Sequence, residues 1–272
     1  MAPSWVGKGT DNIYTNTYTQ LPPDLKSNMT VTTESNGNGQ TAAWSASNPQ
    51  FTLYSHRVGP NGFKVAQVLC ELGLHFRTIF LEFGTGENGI KSLAFEAINP
   101  NGRIPALVDH SANDLAVWES TAIITYIAKK HDTEFKVWAQ SFEDQALIET
   151  WLAYQLSGQG PYIGQAMWFS YYHSEQVPSA TARYMAETRR VLGVVQKQLE
   201  RENSNGWLVL GRMTVADLSF VPWYRLLYRL DMNVEEEFPV VWEWMNRMIE
   251  RPAVKEAYEG SVWPPVGEKT KV

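Results

Sequence analysis

The spacing of apolar residues changes character twice along this chain. Up to about residue 50, Thr, Asn, Ser and Gly dominate, with scattered aromatics such as Tyr14, Tyr18 and Trp44 and no regular period. Such a composition builds no core of its own, so residues 1–50 are expected to be a flexible tail, or an arm laid on the body through its aromatics. From residue 51 the pattern becomes regular. "FTLY" (51–54) predicts a short strand. "GFKVAQVLCELGL" (62–74) predicts a helix with Phe63, Val65, Ala66, Val68, Leu69 and Leu72 on or near one face, stopped at Gly73. "FRTIFLEF" (76–83) alternates and predicts a second strand. "IPALVD" and "LAVWE" predict two more, joined by the polar turn "HSAND". "STAIITYIAKKH" (120–131) then reads as a helix opened by Ser120 and closed by basic residues that suit its C-terminal dipole.

Beyond "DTEFKVWAQ" (132–140) the strand patterns cease. "SFEDQALIETWLAYQL", "SATARYMAETRRVLGVVQKQLERE", "TVADLSFVPWYRLLYRL" and "FPVVWEWMNRMIERPAVKEAYE" all carry helical periods. The third opens on Thr214 with Asp217 three positions on, a variant of the capping box. The fold expected is an α/β unit of order βαβ-α-ββα followed by an all-α unit. Its divisions fall at residues 51–133 for the α/β domain, 134–140 for a linker, 141–260 for the helical domain and 261–272 for a C-terminal tail. No internal repeat is present.

Composition then removes whole classes of function. With 44% hydrophobic residues in 272 the chain can bury a sizeable core, and no apolar run reads as a membrane helix. A formal charge of −6 is the wrong sign for a nucleic-acid surface. One cysteine excludes an intramolecular disulfide and suits a reducing compartment. "MAPSWVGKGTDNIYTNTYTQ" has no apolar core of a secretory signal, so the "NMT" at 28–30 is given little weight as a glycosylation site and the expected location is cytoplasmic.

Candidate chemistry is sparse. His56, His75, His110, His131 and His173 show no ligand spacing, so no metal site is expected. "GTGENG" (84–89) has the letters of a dinucleotide loop but follows the second strand and opens no strong helix; it reads as a flexible loop in which only a side chain such as Asn88 would have a role. Cys70 reads as a buried structural cysteine. "MWFSYYH" (167–173) could line an apolar pocket, fill a core face or serve a subunit interface.

Three stretches carry more weight together than apart. Pro60-Asn61-Gly62 forms a strand-to-helix turn, with Asn61 as an N-cap whose amide can also face a ligand. In "NPNGRIPALVD" (99–109), Ile104-Pro105 precedes a strand, and a cis bond there would let the adjoining backbone pair with an extended peptide. "WES" (118–120) sets a carboxylate and a hydroxyl at a helix start, where backbone N–H groups attract an anion. A carboxylate for an ammonium, beside a helix start for a carboxylate, suits an amino-acid head group.

In this order the residues resemble a glutathione transferase: the thioredoxin-like first half, "RIPALVD", "WES", and a helical second half with "TVADLSF", over about residues 51–260. "YSHRVGPNGFKVAQVLCELGLHFRTIFLEF" is similar to the fungal class named after the yeast nitrogen-regulatory prion protein. Bacterial nu-class enzymes share the "PNG" turn, but their usual threonine two residues before the asparagine is Gly59 here. The resemblance implies that Glu119 and Ser120 hold the γ-glutamyl end of glutathione, that Ile104 pairs its backbone with the cysteinyl unit beside a cis Pro105, and that Arg103 and Asn88 approach the glycyl end. Asn61 would face the sulfur. Glutathione would then be the co-substrate, with no tightly bound cofactor. The implied reactions are reduction of a disulfide or peroxide, or conjugation to an apolar electrophile; a non-enzymatic glutathione-fold regulator or ligand binder is the alternative. The family also implies a homodimer, and neither nucleic acid nor membrane is expected as a partner.

Overall fold

The computed structural model describes residues 48–259 and, upstream of them, the strand at 33–35. The expectation of a tail or arm over the other residues up to 47, and of a C-terminal tail, falls outside the described residues.

Five strands form one sheet: β1 (Thr33–Ser35), β2 (Phe51–Ser55), β3 (Phe76–Phe80), β4 (Ala106–Asp109) and β5 (Leu115–Trp118), in the order β1-β3-β2-β4-β5. Four of them are the strands that the alternation predicts. The fifth, β1, lies in a stretch read as tail or arm and pairs antiparallel with β3 at the sheet edge. Strand β2 runs parallel to β3, with Phe51 opposite Phe76, and antiparallel to β4, with Phe51 opposite Asp109. Every residue of β2 is buried, because helices cover both faces of the sheet at this point. Phe51 and Leu53 enter the large core shared with the helical half. Tyr54 enters a smaller one with Ile79, Leu81, Phe95 and Val108 on the opposite face.

Three helices complete this half: α1 (Pro60–Glu71), α2 (Leu93–Glu96) and α3 (Ser120–His131). Pro60 stands in the first turn of α1, where a missing N–H costs nothing. The N-cap is Gly59, and no side chain caps this helix. Asn61 is therefore not the cap that the sequence predicts; it lies inside the first turn, which frees its amide for another partner. A Cβ on Gly62 would stand 1.8 Å from Ser55 Oγ, so only glycine lets α1 lie this close to β2. Residues 62–69 are all buried, with the sheet on one side and the helical half on the other. Cys70, beyond them, is half-buried rather than fully buried.

The connection to the second half is organised by one carboxylate. Asp132 accepts from the backbone N–H groups of Lys136 (2.8 Å), Val137 (2.7 Å) and Trp138 (2.8 Å). Val137 and Trp138 are buried in the main core.

The second half contains α4 (Phe142–Tyr154), α5 (Gly160–Met167), α6 (Pro178–Leu199), α7 (Val215–Tyr224), α8 (Val234–Glu237), α9 (Pro239–Ile249) and α10 (Pro252–Ala257). Two features depart from the periodicity. Helix α4 continues through a π-helical turn, Gln155–Gln159, directly into α5, which ends in a second such turn at Trp168–Tyr172. The final helical stretch is two helices, because Pro252 opens α10. The capping box of α7 forms as predicted between Thr214 and Asp217. Trp168, Tyr171 and Tyr172 are exposed, so the aromatic run is not a packed core face.

Candidate functional site

Three chain segments meet at the start of α1. A Cβ on Gly59 would lie 2.9 Å from Ile104 Cδ1 and 3.3 Å from His56 Cβ, so the turn before α1 touches the segment entering β4. A larger residue here would have to push the Ile104 side chain aside. The Ile104–Pro105 peptide at this contact is cis, as the sequence reading anticipates. The third segment is the start of α3. Its N-cap is Glu119, exposed and held at φ 68°, and Ser120 follows as the buried first helical residue rather than as the cap.

Helix α1 is tied to its surroundings by two polar side chains three positions apart, and so on one face. Asn61 is half-buried, and its Oδ1 accepts from the indole N–H of Trp223 on α7 at 2.9 Å. An indole nitrogen only donates, so the oxygen of the carboxamide must face Trp223 and the NH2 end is the one left for a ligand. Lys64, almost fully buried, donates to Gln155 Oε1 at 2.6 Å and lies 3.4 Å from Ser120 Oγ. Burial pulls the Lys64 amine down to about 7, against the opposing pull of the Glu119 carboxylate. The Ser120 hydroxyl accepts from Lys64 and so keeps its own O–H to give elsewhere.

Arg103 and Asn88 lie farther out. Both are exposed. The Arg103 carbonyl accepts from Asn99 Nδ2 at 2.5 Å, and Lys91 donates to the Asn101 carbonyl at 2.8 Å. That second bond lays the loop bearing Asn88 against the loop bearing Arg103. The structure thus joins Asn61, Ile104 and Pro105 through Gly59, and Asn61, Glu119 and Ser120 through Lys64. Arg103 borders the group, and Asn88 sits on an adjoining loop.

His56 packs beside Gly59, its ring stacked on Phe83 at 3.9 Å and its Nδ1 accepting from the Val58 N–H at 3.1 Å. Burial lowers its pKa, with the Glu82 carboxylate opposing. A separate cleft, lined by Ser55, Gly62, Thr78, Phe80, Glu256 and Glu259, contains none of the expected site residues. Among the described residues, no group of three or more His, Cys, Asp or Glu could hold a metal ion, and no helix is long and apolar enough to cross a membrane.

Three residues of this arrangement escape a reading of the sequence: Lys64, Gln155 and Trp223. Lys64 had a signal, since a lysine interrupts the apolar run of this helix three positions after Asn61. Trp223 lies 162 residues from Asn61 and sits among other aromatics, where nothing local marks it.

Two family models match the chain: the glutathione S-transferase N-terminal domain over residues 49–129 and the glutathione S-transferase C-terminal domain over residues 161–252. Protein URE2 of Kluyveromyces lactis is 45% identical over 242 residues, a match taking in 77% of this chain and 62% of that protein. The transcriptional regulator URE2 of Saccharomyces cerevisiae is 41% identical over 242 residues, covering 77% of this chain and 68% of the regulator. The crystal structure of the glutathione transferase URE2P6 from Phanerochaete chrysosporium, in complex with oxidized glutathione, is 48% identical. It superposes with a TM-score of 0.74, covering 79% of this chain and 97% of that one. A thioredoxin-like half, a helical half, two matching family models and this degree of identity lead to one conclusion: the chain belongs to the glutathione S-transferase family, with the Ure2 proteins among its relatives.

Proposed function

We propose that this protein binds glutathione at the start of α1 and uses its thiolate to reduce a small disulfide or peroxide. The observation that carries this reading is the orientation of Asn61: its oxygen is taken by Trp223, so it offers an N–H to whatever lies in front of it. A free thiol of pKa ~8.5 is only about 3% thiolate at neutral pH. An amide N–H together with the positive end of α1 lowers that pKa by stabilising the anion. The displaced proton leaves to solvent.

Glu119 pairs with the glutathione ammonium, and the Ser120 hydroxyl, with the first N–H groups of α3, takes the γ-glutamyl carboxylate. The Ile104 backbone beside Pro105 pairs with the cysteinyl unit. Arg103 and Asn88 face the glycyl end. With a disulfide substrate, the glutathione thiolate attacks one sulfur, forming a new S–S bond and expelling the other sulfur as thiolate. A second glutathione thiolate then displaces the remaining half, giving oxidised glutathione and two thiols after protonation. The glutathione transferase relative that holds oxidised glutathione supports this product in such a groove. In this reading residues 51–133 supply the glutathione site and 141–260 the wall that meets the acceptor. The protein acts in the cytoplasm as a homodimer, and exposed apolar side chains such as Leu93 and Phe142 support a buried contact.

The test is steady-state reduction of a small mixed disulfide by glutathione, with wild type and Asn61→Ala side by side. Loss of about 2 kcal/mol of transition-state stabilisation, roughly thirtyfold in rate, is expected. Rates within about twofold of wild type would remove Asn61 from the mechanism. A second reading, a regulator built on this fold, draws on the name of the Saccharomyces cerevisiae relative. Glutathione binding without turnover of disulfide, peroxide or electrophile would favour it.

A further inference from the structure

We infer that Trp223 is a positioning residue for Asn61: its indole N–H pins the carboxamide oxygen, so that the helical half fixes which end of the amide meets the thiol. This rests on the reading of Asn61 as the group facing the glutathione sulfur.

An asparagine side chain alone can present either end, since its oxygen and nitrogen have nearly the same shape. The two ends act in opposite directions on a thiol. The NH2 stabilises the thiolate, whereas the carbonyl oxygen repels it and holds the proton on. The 2.9 Å bond from Trp223 selects the first. It also polarises the amide, because a donor at the carbonyl oxygen strengthens the N–H groups at the other end.

The surroundings hold the indole in place. A Cβ on Gly160 would stand 3.1 Å from its Nε1, and one on Gly164 would stand 3.2 Å from its Cη2. Those glycines are four apart on α5, so the ring lies along a strip of helix without side chains. Gly160 follows the π-helical turn, whose buried Gln155 and Gln159 form an amide chain behind it. Gln155 Nε2 donates to Gln159 Oε1 at 2.6 Å, and Gln159 Nε2 donates to the Phe220 carbonyl at 3.0 Å. Phe220 lies three residues before Trp223 on α7, so the helix that carries the indole is itself held against the turn.

The experiment compares wild type, Trp223→Phe, Gly160→Ala, Asn61→Ala and the Asn61→Ala/Trp223→Phe pair. Each is followed by ultraviolet thiolate absorbance of bound glutathione across pH, glutathione affinity, and the pH profile of disulfide reduction. Trp223→Phe removes the donor and keeps a smaller aromatic ring. The bound thiol should titrate about one pH unit higher and the rate at neutral pH should fall about threefold. The deficit should close at alkaline pH, where the thiol ionises unaided. Affinity should stay within about threefold, and the double variant should be no slower than Asn61→Ala alone. Gly160→Ala, which crowds the indole but leaves its N–H, should shift the titration in the same direction by less, and it decides the matter if Trp223→Phe does not fold. An unchanged thiol titration in the folded variants, or a rate loss equal at every pH, overturns the role of Trp223. If Asn61→Ala itself keeps the wild-type rate and titration, the reading of Asn61 fails instead.

Discussion

Helices α1 and α7 are both enclosed by the protein, and each carries deep inside it one side chain that is charged in water: Lys64 in α1 and Asp217 in α7. Burial acts on both against the charged form. It pulls Lys64 down to about 7 and pushes Asp217 up to about 6. Their partners differ. Asp217 accepts from the Thr214 N–H (2.9 Å) and hydroxyl (3.2 Å), the Leu208 N–H (3.2 Å) and the Trp244 indole (3.1 Å), all within the helical half. Lys64 divides its hydrogen bonds between Gln155 of the helical half and Ser120 at the start of α3. A buried charge answered by its own surroundings fastens a fold. One shared between the two halves ties them together at the candidate site.

The contrast can be broken most severely at Asp217. Replacing it by Asn sets an NH2 among four donors and leaves some of them without an acceptor. A loss of about 3 kcal/mol or more is expected from urea denaturation, with the activity of the folded fraction unchanged. A change under about 0.5 kcal/mol would show that the cluster does not fasten α7.

Lys64 should show itself through pH. Its pKa falls from 10.5 when unfolded to about 7 when folded, so between those values the unfolded chain holds a proton that the native chain lacks. Stability therefore rises with pH across that window, and this contribution is lost as pH falls through about 7. Denaturation of Lys64→Met at several pH values should give a flatter rise than wild type, by up to about 1.4 kcal/mol per pH unit. Identical slopes would mean that Lys64 keeps its proton in the fold.

The smallest effect belongs to Ser120→Ala. If this hydroxyl hands a hydrogen bond from the Lys64 side to the glutamyl carboxylate, KM for glutathione should rise roughly fivefold to tenfold, about 1 kcal/mol, with kcat little changed. A fall in kcat at unchanged KM would place Ser120 elsewhere in the reaction.

Much of the fold is legible in the sequence because its signals are local. Strands β2 to β5 alternate or run apolar, Gly73 stops α1, and the Thr214–Asp217 cap needs only four adjacent residues. Ile104-Pro105 and the "WES" turn likewise announce half of the candidate site within a few positions. What stays hidden depends on distant partners or on geometry without a code. The π-helical turn at Gln155–Gln159 has no periodic signature. The offset of the α1 cap from Asn61 to Gly59, by contrast, is a shift of two residues that turns a capping side chain into one that reaches across the molecule.

The Asp132 clamp has a consequence for digestion. A protease needs several residues of extended chain to fit its groove, and the joint between the halves offers none, with three backbone N–H groups drawn onto one carboxylate and Trp138 sunk in the core. Limited proteolysis of the folded protein should therefore spare residues 132–140, so that the halves survive or are degraded together.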